Sequence, residues 1–242
     1  MGNIYDDPSF FQAYGQMDRS RKGLEGAGEW HQLKRLFPEI KGKDVLDLGC
    51  GYGWHSAYAA EKGAASVTAI DQSSRMIGEA RKRNPDERIS YQVCALEEYE
   101  YPKEAFDLVV SNLVLHYIAD LESIYRKVYR TLRSGGDFLI NIEHPAFTGS
   151  VREEWIRDGE GRALYWPVDD YFYPGERRTV FLGEEVVKQH HTLTQILGGL
   201  LACGFVLTAV EEACPDPAVL ELPGMRDEMR RPMMLLVRAR KE

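Results

Sequence analysis

Three glycines, Gly49, Gly51 and Gly53, follow directly on the apolar run Val45–Leu48, and a helical pattern starts at Trp54. Glycine lets a backbone turn sharply and lets a ligand approach it closely. A strand, a glycine-rich bend and a helix N-terminus together grip nucleotide-like ligands by main chain. The dinucleotide form of this device reads G-x-G-x-x-G, with an acid for the ribose about 20 residues on. Here the order is G-x-G-x-G, and Trp54 stands where the third glycine would fall. The acid is present: Asp71 closes the next apolar run, 18 residues past Gly53, where a carboxylate can hold two ribose hydroxyls. A second acid, Asp47, lies two residues before the first glycine. Placed at the loop, it would repel a pyrophosphate and favour a ligand that carries positive charge.

S-adenosylmethionine, with its sulfonium and its α-ammonium, meets both conditions. The stretch "VLDLGCGYG" resembles the glycine motif of the class I S-adenosylmethionine-dependent methyltransferases, of the group called methyltransferase type 11. "AIDQSSRMIGEAR" is similar to that family's second-strand acid and following helix, and "FDLVVSNLVLHYIADLESIYRKVYRTLRSGGDFLI" to its fourth through fifth strands. The match is close over 44–143, looser over "GLEGAGEWHQLKRLFPEIKGK", and holds only in outline beyond 143. The resemblance implies that Gly49 and Gly51 line the methionine part and Asp71 holds the ribose. It implies further that Gln72 and Met76 lie beside the adenosine, that Ala95 and Leu96 contact the adenine, and that Asn112 faces the reacting methyl group. Where the family carries an acid for the adenine amino group, this chain has Cys94.

Methyl transfer from S-adenosylmethionine to a small-molecule acceptor is the activity this implies. It is an in-line displacement whose leaving group is already activated by charge, so alignment and exclusion of water are the protein's main tasks. A general base is needed only where the acceptor holds its proton, and His116, His144 and His191 are the candidates. Two other functions fit parts of the pattern. A nicotinamide-dependent oxidoreductase is disfavoured by Trp54 and Asp47, and a binding protein without catalysis would keep the same motifs. Tyr14, Met17 and Arg19 precede the glycine motif in a segment that can fold over the cofactor. Tyr14 is expected at the cofactor and Arg19 at its carboxylate; a solvated surface segment is the alternative. No metal site is expected, since Glu143 and the histidines lack a close-spaced ligand pair.

Alternating elements must position these residues: apolar runs at 44–48, 66–71, 89–93, 106–112 and 137–143 predict strands. Helical patterns at 27–37, 54–62, 74–84, 121–133 and 192–203 surround them, and 205–212 and 232–240 supply two more strands. The expected fold is α/β, a Rossmann-like, seven-stranded, mostly parallel sheet with helices on both faces and a terminal antiparallel pair. The whole chain is expected to be one methyltransferase domain with 44–143 as its cofactor core. Residues 144–190 break the rhythm and are rich in aromatics, which predicts an insertion or lid over the substrate side. Of 242 residues, 30 are basic and 38 acidic, a net charge of −8 that disfavours nucleic acid as a partner. No apolar run reaches membrane length and polar residues follow Met1, so no membrane association and a cytoplasmic location are expected. Four widely spaced cysteines predict free thiols.

Overall fold

The computed structural model describes residues 3–242. Three short helices, α1 (Pro8–Gly15), α2 (Asp18–Arg21) and α3 (Trp30–Leu36), lead into β1 (Asp44–Leu48). The alternating part follows as α4 (Trp54–Glu61), β2 (Ser66–Asp71), α5 (Ser74–Arg83), β3 (Ile89–Val93), β4 (Phe106–Asn112), α6 (Leu121–Thr131) and β5 (Leu132–Glu143). Beyond it come α7 (Pro145–Thr148) and two strand pairs, β6 (Ile156–Arg157) with β7 (Ala163–Tyr165) and β8 (Gly175–Phe181) with β9 (Glu184–His190). Then α8 (Gly199–Ala202), β10 (Phe205–Ala213), α9 (Met225–Glu228) and β11 (Met234–Lys241) complete the order.

Seven strands form one sheet in the order β10-β11-β5-β4-β1-β2-β3, in which β11 runs antiparallel to both β5 and β10. The other pairings are parallel, with Leu48 of β1 opposite Ile70 on one side and Ser111 on the other. The chain leaves β1 for β2 and β3 in one direction and returns to β4 and β5 in the other. The crevice beyond the carboxyl ends of β1 and β4 is therefore the switch point at which open α/β sheets bind ligands.

Local sequence explains the flanking helices. Ser73 caps α5 by accepting the Met76 N–H at 3.1 Å, and Asp120 caps α6 through Ser123 at 2.9 Å. Leu121, Ile124, Tyr125 and Val128 give α6 one buried face toward the sheet. On the opposite face α3, α4 and α5 bury Leu33, Ala59, Ala60 and Ile77.

Beyond shifts of one to three residues at element ends, three differences from expectation are larger. Strand β5 starts at Leu132, not at 137, and a wide bulge absorbs the glycines: Phe106 pairs with Leu132 but Leu108 with Asp137. The helix expected over 192–203 opens as a π-turn, Thr194–Gly198, before α8. At the junction Gly199 packs close against the ring of Tyr125. The third difference lies in 144–190, for which no strands were expected and which forms two antiparallel hairpins. Its aromatics pack on one another: Phe147 stacks on Trp166 at 5.1 Å, and Trp155 meets Trp166 edge-on at 5.3 Å. The guanidinium of Arg231 lies 4.3, 4.8 and 5.5 Å from the rings of Trp166, Phe147 and Trp155, and Glu228 pairs with it at 2.8 Å. No helix among the described residues is long and apolar enough to cross a membrane.

Candidate active site

The glycine loop is held in shape by hydrogen bonds within the protein. Gly49 and Cys50 donate their N–H groups to the Ile70 carbonyl at 2.8 and 2.9 Å, and Gly53 donates to the Cys50 carbonyl at 2.8 Å. Gly51 donates to Asp71 Oδ2 at 3.0 Å, while Asp71 Oδ1 accepts from the Ser73 N–H at 2.8 Å. All three glycines have positive φ: 72° at Gly49, 52° at Gly51 and 77° at Gly53. A Cβ would collide with Val114 at Gly49 and with Tyr91 at Gly53, whereas at Gly51 it would meet nothing. Gly49 and Gly53 thus serve packing, and Gly51 keeps open space open. Trp54, in the place of the third glycine, packs its ring against Gly23.

That open space belongs to a cavity of about 270 Å³ at the switch point. Its wall brings together Tyr14, Gly49, Gly51, Asp71, Gln72, Met76, Leu96 and Asn112, all expected at the cofactor, and His116 of the three histidines. Met17 and Arg19 join them from the N-terminal segment. Arg19 is aimed by a bidentate pair with Glu29, at 3.0 and 3.3 Å. Asn141 links Glu29 (3.1 Å) to Asn112 Oδ1 (2.8 Å), so one polar network backs this side of the cavity. Burial pushes the Asp71 carboxyl up to about 6, against the two N–H groups that favour its charge.

Four expected residues lie off this wall. Asp47 is only 2% exposed and accepts the Ser56 hydroxyl at 2.6 Å, tying β1 to α4 beneath the loop. Burial raises its carboxyl to about 7, so it is a buried strut and not a charge presented at the loop. Ala95 turns its carbonyl to the Glu98 and Tyr99 N–H groups, and Leu96 and Glu97 reach the cavity instead. His144 caps α7 by accepting the Ala146 N–H at 2.9 Å and approaches Glu212 at 3.0 Å. His191 donates to the Ile118 carbonyl at 2.9 Å and braces the turn that carries His116.

Other wall residues had no strong signal in the sequence. Tyr5 reaches in from the N-terminus, its hydroxyl 3.0 Å from that of Tyr117. Glu97 places a carboxylate beside Leu96, three positions beyond Cys94; only the acid-rich "ALEEYE" hinted at it. Glu143 from the end of β5 and Phe181 and Lys188 from the β8–β9 hairpin form the far end. Lys188 bridges Glu143 at 2.6 Å and Glu153 at 2.9 Å. Burial works against the lysine's charge, but the two carboxylates outweigh it and hold the ammonium above the ordinary lysine range. Burial raises both acids, Glu153 to about 7. His116 lies 3.9 Å from Glu143, and burial, reinforced by Lys188 and His191, holds its ring neutral.

Residues 46–140 match the family model described as a methyltransferase domain. Two solved structures superpose over nearly the whole chain. A protein of Listeria monocytogenes described as an S-adenosylmethionine dependent methyltransferase has a TM-score of 0.87 and 47% identity, over 91% of this chain and 99% of that one. An S-adenosylmethionine dependent methyltransferase of Mesorhizobium loti has a TM-score of 0.84 and 41% identity, over 90% and 100%. Among curated proteins, malonyl-[acyl-carrier protein] O-methyltransferase of Salmonella typhimurium is 39% identical over 128 residues, 52% of this chain and 50% of that protein. The chain thus spans half the length of that relative.

Proposed function

Because the chain belongs to the class I S-adenosylmethionine-dependent methyltransferases, we propose that it methylates a small molecule enclosed between the glycine loop and the β8–β9 hairpin. The observation that carries this is the continuity of one cavity, from Gly51 and Asp71 at one end to His116 and Lys188 at the other. S-adenosylmethionine is the methyl donor. In our reading its methionine part lies along Gly49 and Gly51, with its carboxylate toward Arg19. The ribose lies on Asp71, the adenosine runs past Gln72 and Met76 to Leu96, and Glu97 takes the adenine role that Cys94 cannot fill. Tyr14 and Asn112 then flank the methyl group.

The reaction asks mainly for alignment. The acceptor atom must lie in line with the carbon–sulfur bond, and water must be kept out. Tyr5, Tyr117 and Phe181 close the space over the reaction, and residues 144–190 act as a lid whose inner hairpin shapes the acceptor end. His116 is the histidine placed to take a proton; His144 and His191 are committed to structural hydrogen bonds. Titration calorimetry with S-adenosylmethionine, followed by transfer of labelled methyl to pools of small molecules, tests the proposal. Binding without transfer to any pool would leave a cofactor-holding protein and overturn the small-molecule assignment.

A further inference from the structure

The end of the cavity away from the glycine loop is built from charges that already have partners. Lys188 is 4% exposed, and its ammonium lies between Glu143 and Glu153, whose side chains are 13% and 8% exposed. Two carboxylates therefore share one cation. At the loop end the other basic group on the wall, Arg19, is held by Glu29. Asp71 and Glu97 line the same cavity with no ion pair among the described residues. Acids outnumber cationic side chains on this wall, and neither cation is free.

Beside the Lys188 cluster stands His116, 3% exposed and on the cavity wall. Neither of its ring nitrogens has a hydrogen-bond partner among the described residues, and Nε2 stays 3.9 Å from Glu143. A buried imidazole without a partner is costly unless a ligand supplies one.

Methyl transfer relocates charge. An anionic acceptor annihilates the positive charge of the sulfonium, and such an acceptor needs a free cation to hold it; this wall offers none. An uncharged acceptor ends the step positive, close to a surplus carboxylate, so its transition state gains more from the wall than its ground state does. An acid-rich wall would also keep an alkylamine protonated, with no lone pair to attack. Resting on the methyltransferase reading above, we propose that the acceptor atom is a weakly basic nitrogen, in an arylamine or a heteroaromatic ring, received between His116 and the Glu143–Lys188–Glu153 cluster. The nitrogen lone pair forms the new carbon–nitrogen bond as the carbon–sulfur bond breaks. The electron pair of the broken bond stays on sulfur, giving the neutral thioether S-adenosylhomocysteine. The nitrogen takes the positive charge, and any N–H proton it then carries is lost to water after release.

The test uses the full-length protein, methyl-labelled S-adenosylmethionine and five pools: arylamines with heteroaromatic nitrogens, alkylamines, phenols, carboxylic acids and thiols. Mass spectrometry identifies the methylated atom. The expected result is label in the first pool. Glu153→Gln, which lowers the surplus charge from behind Lys188, should reduce kcat/KM for that acceptor at least tenfold while S-adenosylmethionine affinity stays within threefold. With S-adenosylhomocysteine bound, N-methylpyridinium should bind at least tenfold more tightly than toluene, its uncharged isostere, and Glu153→Gln should erase that preference. Transfer only to other pools, or cofactor binding with no transfer to nitrogen, overturns the acceptor class and leaves the cofactor assignment standing. An unaltered Glu153→Gln enzyme overturns the role of the cluster. Failure to bind S-adenosylmethionine overturns the methyltransferase reading itself.

Discussion

Replacing Asp71 by Asn keeps the shape of the side chain and removes its charge. Each carboxylate oxygen already accepts one main-chain N–H, Oδ2 from Gly51 at 3.0 Å and Oδ1 from Ser73 at 2.8 Å. The remaining lone pairs are what the ribose hydroxyls can use. An amide has one oxygen, so Asn must turn its NH₂ toward one of those two N–H groups, and it offers the ribose one acceptor instead of two. Losing a hydrogen bond to a charged group costs about 1.5–3 kcal/mol, which is about 10- to 150-fold in Kd. Calorimetric titration with S-adenosylmethionine measures this on protein whose melting temperature shows it folded. The pH dependence is a second readout. Burial raises the Asp71 carboxyl to about 6, and donor hydroxyls bind its ionised form. Wild-type affinity should therefore fall about tenfold per pH unit below 6 and level off above it. Folding of the unliganded protein responds in the opposite sense, because the buried site favours the protonated acid and loses that advantage as pH rises toward 6. The Asn variant should show neither slope. An unchanged Kd, or a wild-type affinity that is flat below pH 6, would refute the ribose assignment.

Gly51→Val should abolish cofactor binding in a folded protein, since its side chain would enter the open space and its φ of 52° disfavours a branched residue; normal binding would mean that the ligand does not pass there. Phe181→Ala opens the hairpin side of the cavity, so methyl transfer should slow at least tenfold with cofactor Kd changed less than threefold, read by kinetics and calorimetry side by side. Replacing 144–190 by a short Gly/Ser linker should abolish transfer and keep cofactor affinity within about tenfold, or roughly 1.4 kcal/mol; normal turnover by the shortened, folded protein would rule out a lid. Lys188→Met leaves two buried carboxyls without their cation and should destabilise by about 3–5 kcal/mol. That loss should grow as pH rises from 5 to 8, because the fold accepts the acids protonated and the unfolded chain does not require it; a thermal-denaturation penalty independent of pH would contradict the charge argument.

The central parallel strands were legible because they are short, largely apolar runs, the pattern of strands buried on both faces, while the edge strand β3 alternates buried and exposed positions. The β8–β9 hairpin was not, because most of its inward positions are polar. Arg177 and Thr179 on β8 and Lys188 and His190 on β9 are buried, and Val186 is the single apolar side chain buried with them, so no sustained apolar alternation marks the strands. Tertiary partners hold three of them: Arg177 donates to the Asp170 and Tyr173 carbonyls, Lys188 meets Glu143 and Glu153, and His190 meets Thr148 at 2.7 Å. That Gly51, Asp71 and Met76 would share one cavity was readable from motif spacing, since they are set by one strand–helix rhythm. The proposed acceptor end was not, because Tyr5, Glu143 and the β8–β9 hairpin that carries Phe181 and Lys188 come from three distant segments that only the fold joins. Asp47 shows the limit of spacing alone. Its position before the loop was plain, but not that its side chain points down to Ser56.

The hydrogen bonds of the glycine loop bear on competition among cellular nucleotides. The amides of Gly49, Cys50, Gly51 and Gly53 are all donated within the protein. A phosphorylated nucleotide that presented its adenosine to Asp71 would find these four donors already used, and would have to break one to gain one. S-adenosylmethionine, with its carboxylate toward Arg19 as proposed above, would ask for none of them. On the proposed placement, its selection over the phosphorylated adenine nucleotides would rest on backbone that is silent toward anions, and would persist even if Asp47 were replaced by an uncharged residue that held Ser56 as well.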